Sequence, residues 1–456
     1  MTVEHSGDAG SAVSLRSTVM RWTANCTVGA ALCLTAWFLI ADLWHPWTNT
    51  FRAFYYAAKA MHDGVSVYAS HAPGFKSEYV YPPLFAFLCL PFLSLKLPAA
   101  IRIWLGVDVT LTWFALLLGA REVLRRFLLP ISWRACLTLA SGAFFLSVGE
   151  IRTEWATGQT DTLVLGVFVL ALCWLDRAPW LAGLALGLAA NFKYQPLFAL
   201  PWLAVRRRWR AAGFTVLAAV GCSLLPALAS GWTGNLGDLK VAFAGLASFA
   251  GIHSTVAAPT VNLTWIRSIS ITSAIGRLLE SLHLDPAGAF VLAGAVALLF
   301  LGLISWIYRK HSLRLLAVTP GSSLNPASGG VVACEWVGLM VAWLAFGPEV
   351  SRRHMFVLLL FHLVALGLLS SAAAGTRRKI LLVGLVVWEL GLRLPPAHSP
   401  WFQTAADVWM GIGGPSWCLL SCYAILLWTG LGWAGKIQRM QLLAVSGAPW
   451  DSGPTR

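Results

Sequence analysis

Residues 286–308 read PAGAFVLAGAVALLFLGLISWIY, a run without a single charged side chain. At 1.5 Å per residue, a helix of that length reaches across a hydrocarbon core of about 30 Å. Residues 26–44 (CTVGAALCLTAWFLIADLW, with Asp42 near its end) and 354–374 (HMFVLLLFHLVALGLLSSAAA) are also apolar runs long enough to cross. Strands of a membrane barrel alternate apolar and polar residues; these runs do not. The chain therefore reads as all-α, a polytopic membrane helix bundle. Its composition agrees, with 58% hydrophobic and 11% charged residues, where a soluble domain carries about 25% charged residues.

Several of the 24 Trp residues flank expected helix ends, among them Trp44, Trp47, Trp180, Trp209, Trp401 and Trp417. An amphipathic ring prefers that level of a bilayer. The net charge is +14. In a soluble protein that would suggest nucleic acid, but cationic loops are how membrane proteins fix their orientation, so no nucleic-acid partner is expected. The nine Cys residues are scattered through apolar runs without metal-site spacing. They read as small buried apolar residues, and no metal is expected. Residues 1–17 are too long and acidic a start for a typical signal peptide, so the first apolar run is expected to be retained.

The Lys and Arg residues set the expected topology. Arg16 and Arg21 precede the first run and place its start in the cytoplasm. Residues 45–99 then form an external segment, provided that 82–95, too short to span comfortably, lies along the surface on short juxtamembrane helices. With that placement Arg121, Arg125, Arg126, Arg177, Arg206, Arg207, Arg208, Arg210, Arg309, Lys310, Arg314, Arg377, Arg378, Lys379, Lys436 and Arg439 all fall inside. Both termini come out cytoplasmic, with about 12 crossings of the cell membrane expected. Two of these, 180–192 and 195–205, are short. Residues 1–24 and 436–456 read as cytoplasmic tails around a single catalytic domain over 25–435. Residues 232–285 read as a second external loop and 320–330 as a cytoplasmic Ser/Gly linker.

Three stretches carry motifs. The first is FRAFYYAAKA at 51–60, with Gly64, Tyr68 and YVYPPL at 79–84. The second is Gly158, Gln159, Thr160 and Asp161, then LAGLALG at 181–187, KYQP at 193–196 and RRRWR at 206–210. The third is GPEVSRRH at 347–354, before an apolar helix. In this order they resemble the membrane-embedded glycosyltransferases of glycosyltransferase family 87, of the GT-C class. The resemblance implies a GT-C helix bundle and a polyprenyl-phosphate-linked sugar donor, hexosyl or pentosyl. It implies a lipid or glycan acceptor on the external face, a surround of membrane lipids, and no cofactor. It makes Thr50, Arg52, Tyr55, Tyr81 and Gln159 substrate-contacting positions. The family's Asp before Phe-Arg, the expected catalytic base, falls on Thr50. Either Asp42 or Glu78 substitutes for it, or the mechanism differs, or the alignment is shifted.

Transfer from such a donor needs a base for the acceptor hydroxyl and cations or donors for the departing phosphate. Asp42 sits at the outer end of the first helix, and its plain alternative is a helix-end residue facing water or an Arg. Glu78 has the plain alternative of a solvated loop carboxylate. Glu150, Arg152, Glu154, Gln159 and Asp161 make the densest polar cluster at expected membrane depth. There Glu150 or Asp161 would orient hydroxyls, unless the cluster is a salt-bridged structural knot. Lys193 interrupts an apolar stretch and must reach water, an anion or a carboxylate. Arg352, Arg353 and His354 open a helix on the external side, against the helix dipole and against the positive-inside pattern. A bound phosphate would compensate both. A transporter or lipid-linked-sugar flippase would show matching halves with broken helices, and none are evident. A non-catalytic relative is the other alternative, on account of Thr50.

Overall fold

The structure, a computed structural model, describes residues 8–44, 50–73, 79–249, 252, 256, 262–311, 313, 326–371, 375–393 and 403–446. Among the described residues every regular element is helical. Six helices are long and apolar enough to cross a membrane: Trp22–Trp44, Leu97–Arg126, Pro286–Lys310, Ser328–Phe346, Arg352–Ser370 and Gly414–Gln441. Two further pairs qualify only together. Trp133–Leu146 bends by 78° into Val148–Thr157, and Trp209–Leu224 bends by 100° into Ala227–Ser248. The structure thus offers six spans, or up to eight, against the expected twelve. Shorter apolar helices are Pro83–Ser94, Asp161–Trp174, Pro179–Ala190 and Gln195–Val205. None of these has the ~20 residues that a single crossing takes.

The Pro286–Lys310 helix lies at the rim of the bundle, with Val291 and Leu299 each 76% exposed. Such a surface is stable only against acyl chains or another apolar face. Arg352–Ser370 is the reverse, with Phe356, Leu359, Leu360 and Phe361 buried at its centre. Part of the stretch read as a loop over 232–285 is helical. The Ala227–Phe249 helix kinks at Gly231 (φ 71°) and runs on, and Ile271–Ser281 forms a helix capped by Ser270. Residues 250–251, 253–255 and 257–261 lie outside the described residues. The expected linker is shorter than read, because Pro326 already opens the Pro326–Phe346 helix; residues 320–325 lie outside the described residues.

Basic residues that the sequence placed on one side do meet. Arg126 donates to Glu122 (2.7 Å), Asp176 (3.0 Å) and the Leu172 carbonyl (2.7 Å), and Arg208 donates to the same Asp176 at 2.7 Å. Arg206 pairs with Glu335, which also accepts from Tyr308 and from Trp202 (3.1 Å). These groups define one end of the bundle. Asp108 lies on the same helix as Arg126, 18 residues earlier, hence about 27 Å away along the axis, and so stands toward the other end.

The short Pro179–Ala190 helix is fixed by a small-residue seam. Gly183 and Gly187 are spaced so that they share one helix face, which lets two backbones approach closely. A Cβ on Gly183 would lie 2.3 Å from the Ala211 carbonyl oxygen. A Cβ on Gly187 would lie 2.3 Å from that of Thr215 and 2.6 Å from the Ala218 Cβ. At Gly213 on the facing Trp209–Leu224 helix, a Cβ would meet nothing within 4 Å. Gly187→Ala is therefore expected to destabilise by about 1–3 kcal/mol through overpacking, read as a lower thermal midpoint in detergent. Gly213→Ala should leave the midpoint unchanged or raise it. Equal midpoints for the two variants would show that the seam is not as tight as described.

Candidate active site

The site grows from a turn. The Val148–Thr157 helix ends on Gly158, whose left-handed conformation (φ 62°) suits glycine and lets its N–H return to the Glu154 carbonyl at 2.8 Å. The chain reverses through Gln159 and Thr160 and starts the Asp161–Trp174 helix. Thr50 closes against this turn, its N–H donating to the Thr157 carbonyl. The Gln159 amide donates to Thr50 Oγ1 (3.0 Å), and its Oε1 accepts from the Tyr81 hydroxyl (2.8 Å). Gln159 thus joins the two motifs of the first loop to the second motif. Tyr81 is held in turn, because Tyr68 donates to its carbonyl at 2.8 Å and Phe54 packs edge-on at 5.0 Å. Burial keeps the Tyr81 hydroxyl above its ordinary pKa, against the pull of Lys193. It therefore stays neutral and able to donate.

Behind Tyr81 lies an ion pair. Lys193 Nζ donates to Asp161 Oδ1 at 2.6 Å, with side chains 7% and 0% exposed. The ammonium also sits 5.8 Å from the centre of the Tyr81 ring. Lys193 is placed by the end of the Pro179–Ala190 helix, where Asn191 donates to the Gly187 (3.1 Å) and Ala219 (2.9 Å) carbonyls. Asp161 Oδ2 is buried with no hydrogen-bond partner.

The third motif supplies cations. Ser351 caps a 3-10 stretch, Arg352–Leu358, and its N–H donates to His354 Nδ1 at 3.1 Å. That contact leaves the neutral ring's proton on Nε2. His354 is an electrostatic neighbour of Lys193, Asp161 and Arg353. Arg353 donates from Nε to Ser351 Oγ at 3.4 Å, and Arg352 reaches the Met410 sulfur at 3.8 Å. Neither arginine forms an ion pair among the described residues. Glu349, an electrostatic neighbour of Arg353, has a left-handed backbone (φ 53°) and accepts the Asn262 N–H at 3.0 Å. Burial raises its pKa, with that N–H and Arg353 opposing. Arg52 in the first loop likewise has no ion-pair partner among the described residues, and its Nε is buried without a hydrogen-bond partner.

Other expected site residues stand apart. Asp42 pairs with Arg152, whose guanidinium lies 5.2 Å from the Phe38 ring. This is the plain arrangement of a helix-end acid facing an Arg. Tyr55 donates to the Leu95 carbonyl at 3.0 Å and pins the first-loop helix to the juxtamembrane segment. Glu150 is an electrostatic neighbour of Arg393, His362 and Glu389, one turn before the Glu154 cluster. Glu78 lies outside the described residues. Among the described residues, no group of His, Cys, Asp and Glu could hold a metal ion.

Two groups entered the site: one that the sequence reading did not name, Asp108, and one that it named in the polar cluster without a role, Glu154. Asp108 and Glu154 are fully buried beside Asp161. Glu154 Oε1 accepts the Thr162 N–H at 3.2 Å, and both Asp108 oxygens lack a partner. A signal for Asp108 was present, since a lone acid mid-way along an apolar helix is costly and marks function by default.

The profile of glycosyltransferase family 87 matches residues 79–325. The polyprenol-phosphate-mannose-dependent alpha-(1-2)-phosphatidylinositol mannoside mannosyltransferase of Mycobacterium tuberculosis is 26% identical over 414 residues, 85% of this chain and 86% of that protein. The corresponding pentamannoside mannosyltransferase of Mycobacterium tuberculosis is 26% identical over 399 residues, 84% and 80% of the two chains. A phosphatidylinositol mannoside mannosyltransferase of Mycolicibacterium smegmatis is 24% identical over 427 residues, 88% and 87%. No solved structure matches significantly. The matched region holds Tyr81, Gln159, Asp161 and Lys193, the residues that the fold gathers around the turn at Gly158, and the chain belongs to glycosyltransferase family 87.

Proposed function

We propose that this glycosyltransferase moves a hexosyl unit, mannose by analogy with the names of its relatives, from a polyprenyl phosphate to a glycolipid hydroxyl. The carrying observation is the end of the bundle where Arg352 and Arg353 form no ion pair among the described residues, with Glu150 and Glu349 only as longer-range electrostatic neighbours, beside the Thr50–Gln159–Tyr81 chain and the Asp161–Lys193 pair. At the opposite end Arg126, Arg206 and Arg208 all have acid partners. Unneutralised guanidinium groups suit a phosphate diester, to which Arg makes paired charge-assisted bonds.

In this reading Arg353 and the His354 Nε2–H hold the donor phosphate. The acceptor oxygen attacks the anomeric carbon. The bond from that carbon to the phosphate oxygen breaks, and its electron pair leaves with the lipid phosphate. The acceptor's proton passes to the Lys193–Asp161 pair. Lys193 yields a proton to Asp161 and takes the acceptor's in its place, so Asp161 ends protonated and Lys193 charged. Thr50, Gln159 and Tyr81 orient the acceptor and sugar hydroxyls. The site faces outward across the cell membrane, both termini are cytoplasmic, and the whole is a GT-C bundle in which Asp161–Trp174, Pro179–Ala190, Gln195–Val205 and Thr376–Arg393 complete about 12 crossings. A second reading, a relative that binds the lipid-linked sugar without transferring it, is favoured by Thr50 in the place of the family's Asp.

Purified protein given polyprenyl-phosphate mannose and a phosphatidylinositol mannoside acceptor is expected to form the glycosylated product. Arg353→Ala should lower kcat/KM about ten- to hundredfold, the loss of one charge-assisted contact. Asp161→Asn should lower kcat about 10²–10⁴-fold. An Arg353→Ala protein that is folded and as active as the parent would place the phosphate elsewhere. Donor binding without transfer, with transfer appearing in Thr50→Asp, would establish the second reading. For topology, a thiol introduced at Ser70 should label from outside intact cells and one at Arg208 should not. The reverse pattern would invert the map.

A further inference from the structure

Asp108, Glu154 and Asp161 come from three helices and meet in an interior where all three are 0% exposed. The cation that faces them is Lys193, which is paired with Asp161. Tyr81, His354 and Arg353 are the other titratable or charged neighbours of that pair. Three ionised carboxylates against one ammonium would leave two net negative charges in a dry interior. Burying an unpaired charge costs so much that such a group neutralises instead.

The hydrogen-bond ledger points the same way. Both oxygens of Asp108, Oε2 of Glu154, Oδ2 of Asp161 and the hydroxyls of Thr160 and Thr162 are buried without partners. Ionised carboxylates are acceptors only, so a fully ionised cluster would have four unpartnered carboxylate oxygens and only the Thr160 and Thr162 hydroxyls, the latter beside Asp108, to donate to them. Two added protons supply the missing donors. A neutral Asp108 can give its O–H to the Thr162 hydroxyl or to Glu154, and a neutral Glu154 can give its O–H to Asp161 Oδ2. The cluster then becomes a satisfied network, which is the only form in which buried polar groups are stable.

We infer that Asp108 and Glu154 are positioning residues held as neutral carboxylic acids, which leaves Asp161 and Lys193 as the one charged pair and spares an anionic donor any buried negative charge behind its phosphate. The second half rests on the proposed donor. In that reaction the phosphate goes from one negative charge toward two as the sugar departs. Ionised Asp108 and Glu154 would oppose both its binding and its departure.

Infrared absorption of the parent protein tests the first half without any assay of activity. At pH 8 solvated carboxyls are ionised, so a neutral-acid C=O stretch comes from buried groups. Asp108→Asn and Glu154→Gln should each remove part of that band, with Asp108→Ser in reserve if Asp108→Asn does not fold. No neutral-acid band in the parent, or a band untouched by either substitution, overturns the inference. The pH dependence of the donor KM tests the second half. Once a single cluster proton is being lost, KM should rise about tenfold per pH unit. Asp108→Asn, which has no such proton, should shift that rise to higher pH. An unshifted rise overturns the second half. A parent that transfers no sugar defeats the proposed function instead, and the infrared result still decides whether the acids are neutral.

Discussion

Lys193 donates to Asp161 at 2.6 Å with both side chains buried, and the arrangement of the site follows from the need to satisfy that ammonium. Removing one partner of a buried pair costs about 3–5 kcal/mol, because the other charge is left stranded. The pair ties together two helices too short to span a membrane alone. Lys193 follows the Pro179–Ala190 helix, held by the Gly183–Gly187 seam and by Asn191. Asp161 opens the next helix after the Gly158 turn, with Glu154 accepting from the N–H of Thr162. Close backbone packing thus places the lysine, and a glycine-permitted turn places the aspartate.

The two ends of the bundle handle charge in opposite ways. At one end the arginines are consumed by structure. Asp176 accepts from both Arg126 and Arg208, and Glu335 accepts from Arg206, Tyr308 and Trp202. At the other end Arg352 and Arg353 form no ion pair among the described residues; Glu349, an electrostatic neighbour of Arg353, spends its hydrogen bond on the Asn262 N–H. A cation left unpaired in a partly buried place is costly unless something anionic arrives. That asymmetry, rather than the number of basic residues, separates a recognition surface from an orientation signal.

The helical class and the longest spans were legible because unbroken apolar runs admit one reading. The shortness of the 82–95 segment was legible for the same reason, and it folds as two pieces, Pro83–Leu88 and Leu90–Ser94. Gln159, Tyr81, Asp161, Lys193 and His354 lie hundreds of residues apart at the extremes, yet their motifs singled each of them out. Their partners were not legible. Nothing in the sequence says that Asp42 faces Arg152, which separates it from the turn at Gly158. The bends of 78° and 100° were also hidden. Apolar periodicity does not report a break in helix direction, so the count of crossings was less secure than their existence. Asp108 was passed over because it belongs to no motif, although it is fully buried with neither oxygen partnered.

The central claim is that the unpaired cations of the third motif exist to hold a lipid-linked phosphate over the Asp161–Lys193 pair. A structure of the protein in a lipid nanodisc with a non-hydrolysable polyprenyl-phosphate sugar tests it most directly. The account predicts the phosphate within hydrogen-bond distance of the Arg353 guanidinium and His354 Nε2, with the sugar against Gln159 and Tyr81. A phosphate seated among Arg126, Arg206 and Arg208 at the opposite end, or Arg353 and His354 both turned away from it, would contradict the account.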